Sequence, residues 1–191
     1  MGRELPKRKI IRLEGYDYAQ AGYYFITICV KDCRSLLGSV VVGTTAPGRP
    51  FVGTTAPGRP FVGTTAPGRP FVGTTAPGRP FVELTPLGEC VNDTIKIANN
   101  NNVKIDKYVI MPNHIHMIVD IGQNADDRGR SSLQQTIRSI KSYVTKWAGY
   151  PIWQPRFYDH VVRNEEDYRR IWQYIDENPV KWKEDRYYKQ H

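Results

Sequence analysis

Two histidines one residue apart, His114 and His116, stand inside the stretch Tyr108–Asp120, YVIMPNHIHMIVD. Apolar runs flank Pro112-Asn113, a pair suited to a turn because proline presets φ and asparagine tolerates the left-handed region. The pattern predicts a β-hairpin with strands over Tyr108–Met111 and His114–Asp120. Side chains two apart in a strand share a face, so both imidazoles project together and form half of a divalent-metal site. A second pair lies near the other end of the chain. Tyr174 and Asn178 are four apart on a helical pattern, about 40° from one another around its axis. They lie beside the apolar stripe Tyr168, Ile171, Trp172 and Ile175, so phenol and amide are placed to face a site at the helix edge. Two imidazoles and one neutral amide oxygen suit Mg²⁺ or Mn²⁺ better than a closed zinc site, and leave positions for substrate oxygens. On residue types alone, the same pattern also fits two half-exposed strand histidines and an incidental tyrosine, one of twelve in the chain.

The segments that must position these groups can be traced in order. Tyr23–Val30 (YYFITICV) is rich in β-branched and aromatic residues and predicts a central strand. Leu36–Val42 predicts a second strand, antiparallel to the first through a short connection. Leu84–Asn100 has helical spacing at Leu87, Val91, Ile95 and Ala98, opened by Thr85-Pro86 as cap and first-turn proline. The hairpin follows, and Gln123–Arg130 is a polar linker. Ser131 or Ser132 caps a helix running to about Trp147, with the apolar stripe Leu133, Ile137, Ile140, Val144 and Trp147. Arg138, Lys141 and Thr145 form another face of it. Pro151–Val162 mixes aromatic residues with Arg156 and His160. Asn164 caps a last helix, with Asp167 three residues on, and Pro179 stops it. Four strands with helices on one side predict an α+β sandwich, with a ferredoxin-like or RRM-like antiparallel four-stranded sheet.

The chain has 191 residues, enough for a single domain over 1–191 with a real core. Hydrophobic residues make up 40% without any run long enough to span a membrane, and no signal peptide opens the sequence; a soluble cytoplasmic protein without a membrane partner is expected. The cysteines, Cys29, Cys33 and Cys90, are odd in number and lack zinc-finger partners, which predicts free thiols in a reducing compartment. The net charge of +8 points to a polyanionic partner. Half of it comes from one block: GTTAPGRPFV occurs four times without change over 43–82, with one Arg and no acid per copy. The ten-residue period matches no solenoid or propeller. Its proline and glycine density opposes helix and interior strand, so a flexible insertion in a loop of the domain is expected, the alternative being an Arg-bearing arm that adds non-specific nucleic-acid affinity. Loop-closure entropy grows only slowly with such a length.

Three separated stretches resemble one family. VIMPNHIHMI is similar to the HUH motif of single-tyrosine transposases. WQPRFYDHVVRNEEDYRRIWQYIDENPVKW, from Trp153 to Trp182, resembles the C-terminal signature of the REP-associated tyrosine transposases, and GYDYAQAGYYFITICVKDCR resembles that family's first strand and flanks. The repeat has no counterpart in the family pattern. The resemblance implies the HUH endonuclease fold, His114 and His116 as metal ligands with Mg²⁺ or Mn²⁺, Asn178 as third ligand where many relatives carry Gln, and Tyr174 as nucleophile. It further implies cleavage and rejoining of single-stranded DNA hairpins through a 5′-phosphotyrosine. On that reading Arg138, Lys141, Arg156 and Arg163 contact phosphates, while Trp153, Phe157 or Tyr158 stack on unpaired bases. Trp153 and Phe157 equally suit a core, and His160 suits either a base or a structural hydrogen bond. Three rivals stay open at this point: a non-catalytic DNA- or RNA-binding regulator, a replication-initiator or relaxase-type nickase, and a decayed transposase. Monomer and homo-oligomer are both compatible with the sequence.

Overall fold

The computed structural model describes residues 21–42, 62–66, 69–72, 79–99, 102–122 and 132–189. Its centre is an antiparallel four-stranded sheet of order β6-β7-β1-β8, built from β1 (Gly22–Cys29), β6 (Val103–Ile110), β7 (His114–Ile121) and β8 (Tyr158–Val161). The expected α+β class and four-stranded antiparallel sheet are therefore present. β1 pairs with β7 in a register that sets Thr27 opposite His116 and Cys29 opposite His114. The hairpin β6–β7 turns at Pro112-Asn113 as expected.

Helices cover both faces of this sheet, not one as the sequence suggested. Lys107 and Tyr108 are neighbours on β6 and so point to opposite faces. The Tyr108 hydroxyl donates to Asn92 of α1 (Pro86–Ile97), whereas the Lys107 ammonium donates to Asp176 of α3 (Glu165–Glu177). α1 packs with α2 (Ser132–Ala148) on one face, and α3 lies on the other. Coverage on both faces explains why β7 is buried almost without interruption. The core runs through Tyr24, Ile26, Ile28, Ile115, Met117 and Ile118 of the central strands, joined by Val91, Ile95, Ile137, Ile140, Ile171 and Ile175 from the helices.

Two strand assignments change. Residues 36–42 were expected to pair with the first strand, but β2 (Gly38–Val42) leaves the main sheet and pairs with β5 (Pro80–Leu84). Both edges of β1 are already occupied, by β7 and by β8. The chain turns away through Lys31–Cys33, where Asp32 and Cys33 adopt positive φ of 60° and 54°. The fourth place in the sheet goes to β8, inside the aromatic segment that carried no strand signal. β2 and β5 belong to a second sheet of order β2-β5-β4-β3, with β3 (Val62–Ala66) and β4 (Arg69–Val72). Part of the repeat is thus strand. Pro80 fits because it opens β5 and faces only Val42, β4 joining β5 further along at Phe71 and Val72, while Pro70, second in β4, is paired with Thr64 of β3. The remaining repeat residues, the linker at 123–130, Ser131 and residues 1–20 lie outside the described residues.

The helix caps follow the sequence. Thr85 accepts from the Gly88 N–H and Asn164 from the Asp167 N–H. On α2, Leu133, Ile137, Ile140 and Val144 are buried and Ala148 continues their stripe against the core, but Trp147 is 54% exposed and lies off that face.

Candidate active site

His114 and His116 project from β7 onto the α3 face with ring centroids 4.4 Å apart, and both are fully buried. Asn113 fixes the first ring. Its amide nitrogen donates to the carbonyls of Cys33 (3.0 Å) and Tyr187 (2.8 Å), so its Oδ1 is the acceptor that meets His114 Nδ1 at 2.9 Å. His114 must then carry its proton on Nδ1, leaving a lone pair on Nε2, an atom that is buried without a hydrogen-bond partner. Asn113 serves through its side chain; its backbone is not left-handed, contrary to the turn argument. His116 Nδ1 lies 2.8 Å from the Thr27 hydroxyl, and its ring stacks on Phe25.

α3 brings the second pair to this face. The Tyr174 hydroxyl is 3.2 Å from His116 Nε2 and donates to Asp185 Oδ2 at 3.1 Å. The Asn178 amide donates to the same Asp185 oxygen at 3.0 Å, while Asn178 Oδ1 is buried and unpartnered. The ligand atoms of His114, His116 and Asp185 lie within 4.8 Å of one another. A cavity of about 350 Å³ opens beside Tyr174, Asn178 and Asp185. Burial pushes the His114 imidazole down to about 4, against the pull of the Asp185 charge, and pushes His116 well below its usual range, helped by His114 and Arg186. Both rings are neutral at pH 7, the state in which imidazole binds a cation. Burial, followed by the Asp185 charge, raises the Tyr174 phenol, so it is protonated at neutral pH.

Asp185 escaped the sequence reading. It lies just after a 3₁₀ turn (Trp182–Glu184), in a charged tail where no periodicity marks one acid above the others. The available signal was chemical: a phenol expected to act as a nucleophile calls for a proton acceptor nearby. His160, the other base candidate, is 2.8 Å from Asp167 in the first turn of α3, at the opposite end of the helix from Tyr174.

The remaining basic and aromatic candidates divide. Arg138, Lys141, Trp153 and Phe157 line one groove of about 560 Å³ between α2 and residues 151–157. Lys141 is occupied there, donating to the carbonyls of Gln154 (2.7 Å) and Pro155 (3.2 Å). Trp153 is a core residue at 7% exposure whose indole donates to the Lys141 carbonyl. Arg138, Arg156 and Arg163 are exposed. Tyr158 is half-buried, edge-on to Phe25 and under the Arg186 guanidinium. Among the described residues the three cysteines are free, Cys29 buried and the others half-buried, and no helix is long and apolar enough to cross a membrane.

No protein-family model matches the chain. It is 38% identical over 88 residues to the REP-associated tyrosine transposase of Escherichia coli, a match covering 46% of this chain and 50% of that protein. A Haemophilus influenzae protein described as uncharacterised is 29% identical over 204 aligned positions, covering 95% of this chain and 93% of the relative. Among solved structures, a REP-associated tyrosine transposase bound to a REP hairpin shares the fold, with TM-score 0.54, 24% identity, and coverage of 90% of this chain and 74% of that one. The chain thus spans half the length of the curated transposase it matches.

Proposed function

Taking this chain as a relative of the REP-associated tyrosine transposases, we propose that it cleaves and rejoins single-stranded DNA hairpins through a phosphotyrosine on Tyr174. One observation carries the reading: the Tyr174 hydroxyl sits 3.2 Å from His116 Nε2, beside two buried, unpartnered acceptors, His114 Nε2 and Asn178 Oδ1. Burying such atoms without a partner is costly. Neutral imidazole and amide oxygen cannot satisfy one another, whereas a cation satisfies both. The residues therefore fit a divalent ion, held by His114, His116 and Asn178 with Asp185 adjacent. When bound, Mg²⁺ or Mn²⁺ supplies positive charge to the non-bridging oxygens of the scissile phosphate.

The chain's own groups account for the remainder. Tyr174 Oη attacks phosphorus in line; a Tyr174 O–P bond forms as the bond from phosphorus to the 3′ oxygen breaks. Asp185, already accepting the phenolic hydrogen bond, takes the phenol's proton, and solvent protonates the departing 3′ oxygen to give a free hydroxyl. The 5′ phosphate stays on Tyr174. Attack by a 3′ hydroxyl reverses the step and returns the phenol, so no external energy source is needed. Phe25 and Tyr187 wall the histidines with rings. The exposed guanidiniums of Arg138, Arg156 and Arg163 serve the DNA phosphates, and Phe157 and Tyr158 offer stacking faces. Lys141 acts by fixing the loop at Gln154 and Pro155.

The test incubates the full chain with Mn²⁺ and end-labelled single-stranded hairpin DNA. A covalent protein–DNA adduct that survives denaturation is expected, dependent on the metal and lost in Tyr174→Phe with hairpin binding retained. An adduct formed equally by the Phe variant would refute the assignment.

A further inference from the structure

Asp176 takes no part in the site, yet Tyr174 and Asn178, two residues to either side of it, both do. Its nearly buried carboxylate holds two cations. Lys107 Nζ of β6 is 2.7 Å from Oδ1, and Arg79 Nη2 is 2.9 Å from Oδ2. The same Arg79 nitrogen donates to the main-chain carbonyl of Asp176 at 3.1 Å. Lys107 also lies 3.7 Å from the centre of the Trp172 ring, one turn earlier on α3. Arg79 immediately precedes β5 and belongs to the fourth copy of the repeat.

α3 needs this help. Its first turn holds Glu165, Glu166 and Asp167, but its last turn has no basic residue and ends in Asp176-Glu177. Two carboxylates at the negative end of a helix repel its dipole, and the final carbonyls lack partners within the helix. Glu177 is served by Lys181 at 2.6 Å and its carbonyl by the Val180 and Lys181 N–H groups, which leaves the Asp176 carboxylate and carbonyl to be met from outside α3. Arg79 answers both needs with one nitrogen, binding a carboxylate and a terminal carbonyl. Ile175 fixes the depth of this turn against the sheet, being fully buried. Tyr174, 40% exposed, meets Phe25 and His116 with its ring and His116 and Asp185 with its hydroxyl, so the ionic clamp on Asp176 is the anchor of this turn on the side away from the site.

We propose that Arg79 is a positioning residue: by clamping Asp176 it aligns the last turn of α3, so that Tyr174 and Asn178 stay against the paired histidines. The last copy of the repeat is then part of the working fold. The effect on activity rests on the strand-cleavage reading, whereas the clamp itself does not.

Full-length Arg79→Ala, Arg79→Gln and Arg79→Lys separate these levels, with Gln retaining donors and losing charge should Ala fail to fold. Amide hydrogen exchange is measured over 171–180, alongside single-turnover cleavage at saturating hairpin and hairpin affinity. In Ala and Gln, exchange rises in that segment and cleavage slows about tenfold or more with affinity unchanged, while Lys recovers most of both. Exchange in Ala and Gln indistinguishable from the parent overturns the clamp. Faster exchange with an unaltered cleavage rate overturns the positioning role. A parent protein that forms no adduct sinks the strand-cleavage reading alone, and the exchange result still decides the clamp.

Discussion

On the proposed reading, the buried His114 imidazole, whose outer nitrogen has no hydrogen-bond partner, is a cost the fold carries for a metal ion, and Asn113 determines which nitrogen that is. Asn113→Ala leaves His114 Nδ1 without its acceptor and frees the ring to change tautomer. Mn²⁺ affinity measured by titration calorimetry should fall about 10- to 100-fold; an unchanged affinity would remove Asn113 from the site's support. The same burial sets a pH dependence for the metal-free protein. In the unfolded chain both histidines take up protons near pH 6.5, but in the fold His114 resists until about 4, and burial holds His116 well below its ordinary value too. Stability is therefore full above pH 6.5 and declines as pH falls through that window, His114 alone accounting for on the order of 3 kcal/mol. Urea midpoints in chelator at pH 7 and pH 4.5 measure the slope, which His114→Gln should flatten. At this scale much was legible. Strand alternation put His114 and His116 on one face, and helical spacing put Tyr174 and Asn178 together. Asp185 was not legible, since it lies where the backbone has no period. Asn113 was noticed for its backbone, while its work is done by its amide.

The elements holding these residues were legible where hydrophobic period was long and sheet order was local. β1, the β6–β7 hairpin and all three helices fall close to their expected places. β8 is four residues long, too short to display alternation, and its pairing to β1 is set by tertiary fit. β2 went astray because a short connection suggests a hairpin, whereas Leu37 is tied elsewhere: its N–H donates to the Pro112 carbonyl at 2.9 Å and its carbonyl accepts from Thr85 at 3.0 Å. That segment couples the start of α1 to the turn before His114, and Gly88 makes the approach feasible. A Cβ at Gly88 would lie 2.0 Å from the Leu37 carbonyl oxygen. Two effects of Gly88→Ala compete. Helix propensity favours alanine by about 1 kcal/mol, but displacing a backbone carbonyl that bonds α1 costs about 1–3 kcal/mol, with more in tight packing. A contact this short lies at the severe end, so a net loss of about 2 kcal/mol is expected in urea unfolding. A more stable variant would show that the propensity gain outweighs the contact.

At the scale of the whole molecule the open question is how a domain carries four identical decapeptides. The described strands β3, β4 and β5 draw on the last two copies and the final residue of the second, so every described contact of the block, Arg79 included, falls within its last 21 residues. Because the copies are identical, deleting any one of them produces the same chain, in which those 21 residues are intact. The connection from Val42 to Val62 shortens from nineteen residues to nine. Three strand spacings separate β2 from β3 in the order β2-β5-β4-β3, about 14 Å, and nine extended residues reach about 30 Å. Halving the loop changes its closure entropy by only about 0.6 kcal/mol, a Tm shift of about 2 °C. One-copy deletion should accordingly leave Tm and adduct yield near the parent values. Deleting two copies removes more residues than that connection contains, so β3 cannot form as it stands and Tm should drop, while Arg79 and β5 persist. Deleting all four removes Arg79 and Pro80–Val82 of β5, and adduct formation should vanish with it. Melting curves and adduct assays on the three deletions measure this staircase. A smooth decline proportional to the number of residues removed would mean that the copies contribute equally, and that the last one holds no special place in the fold.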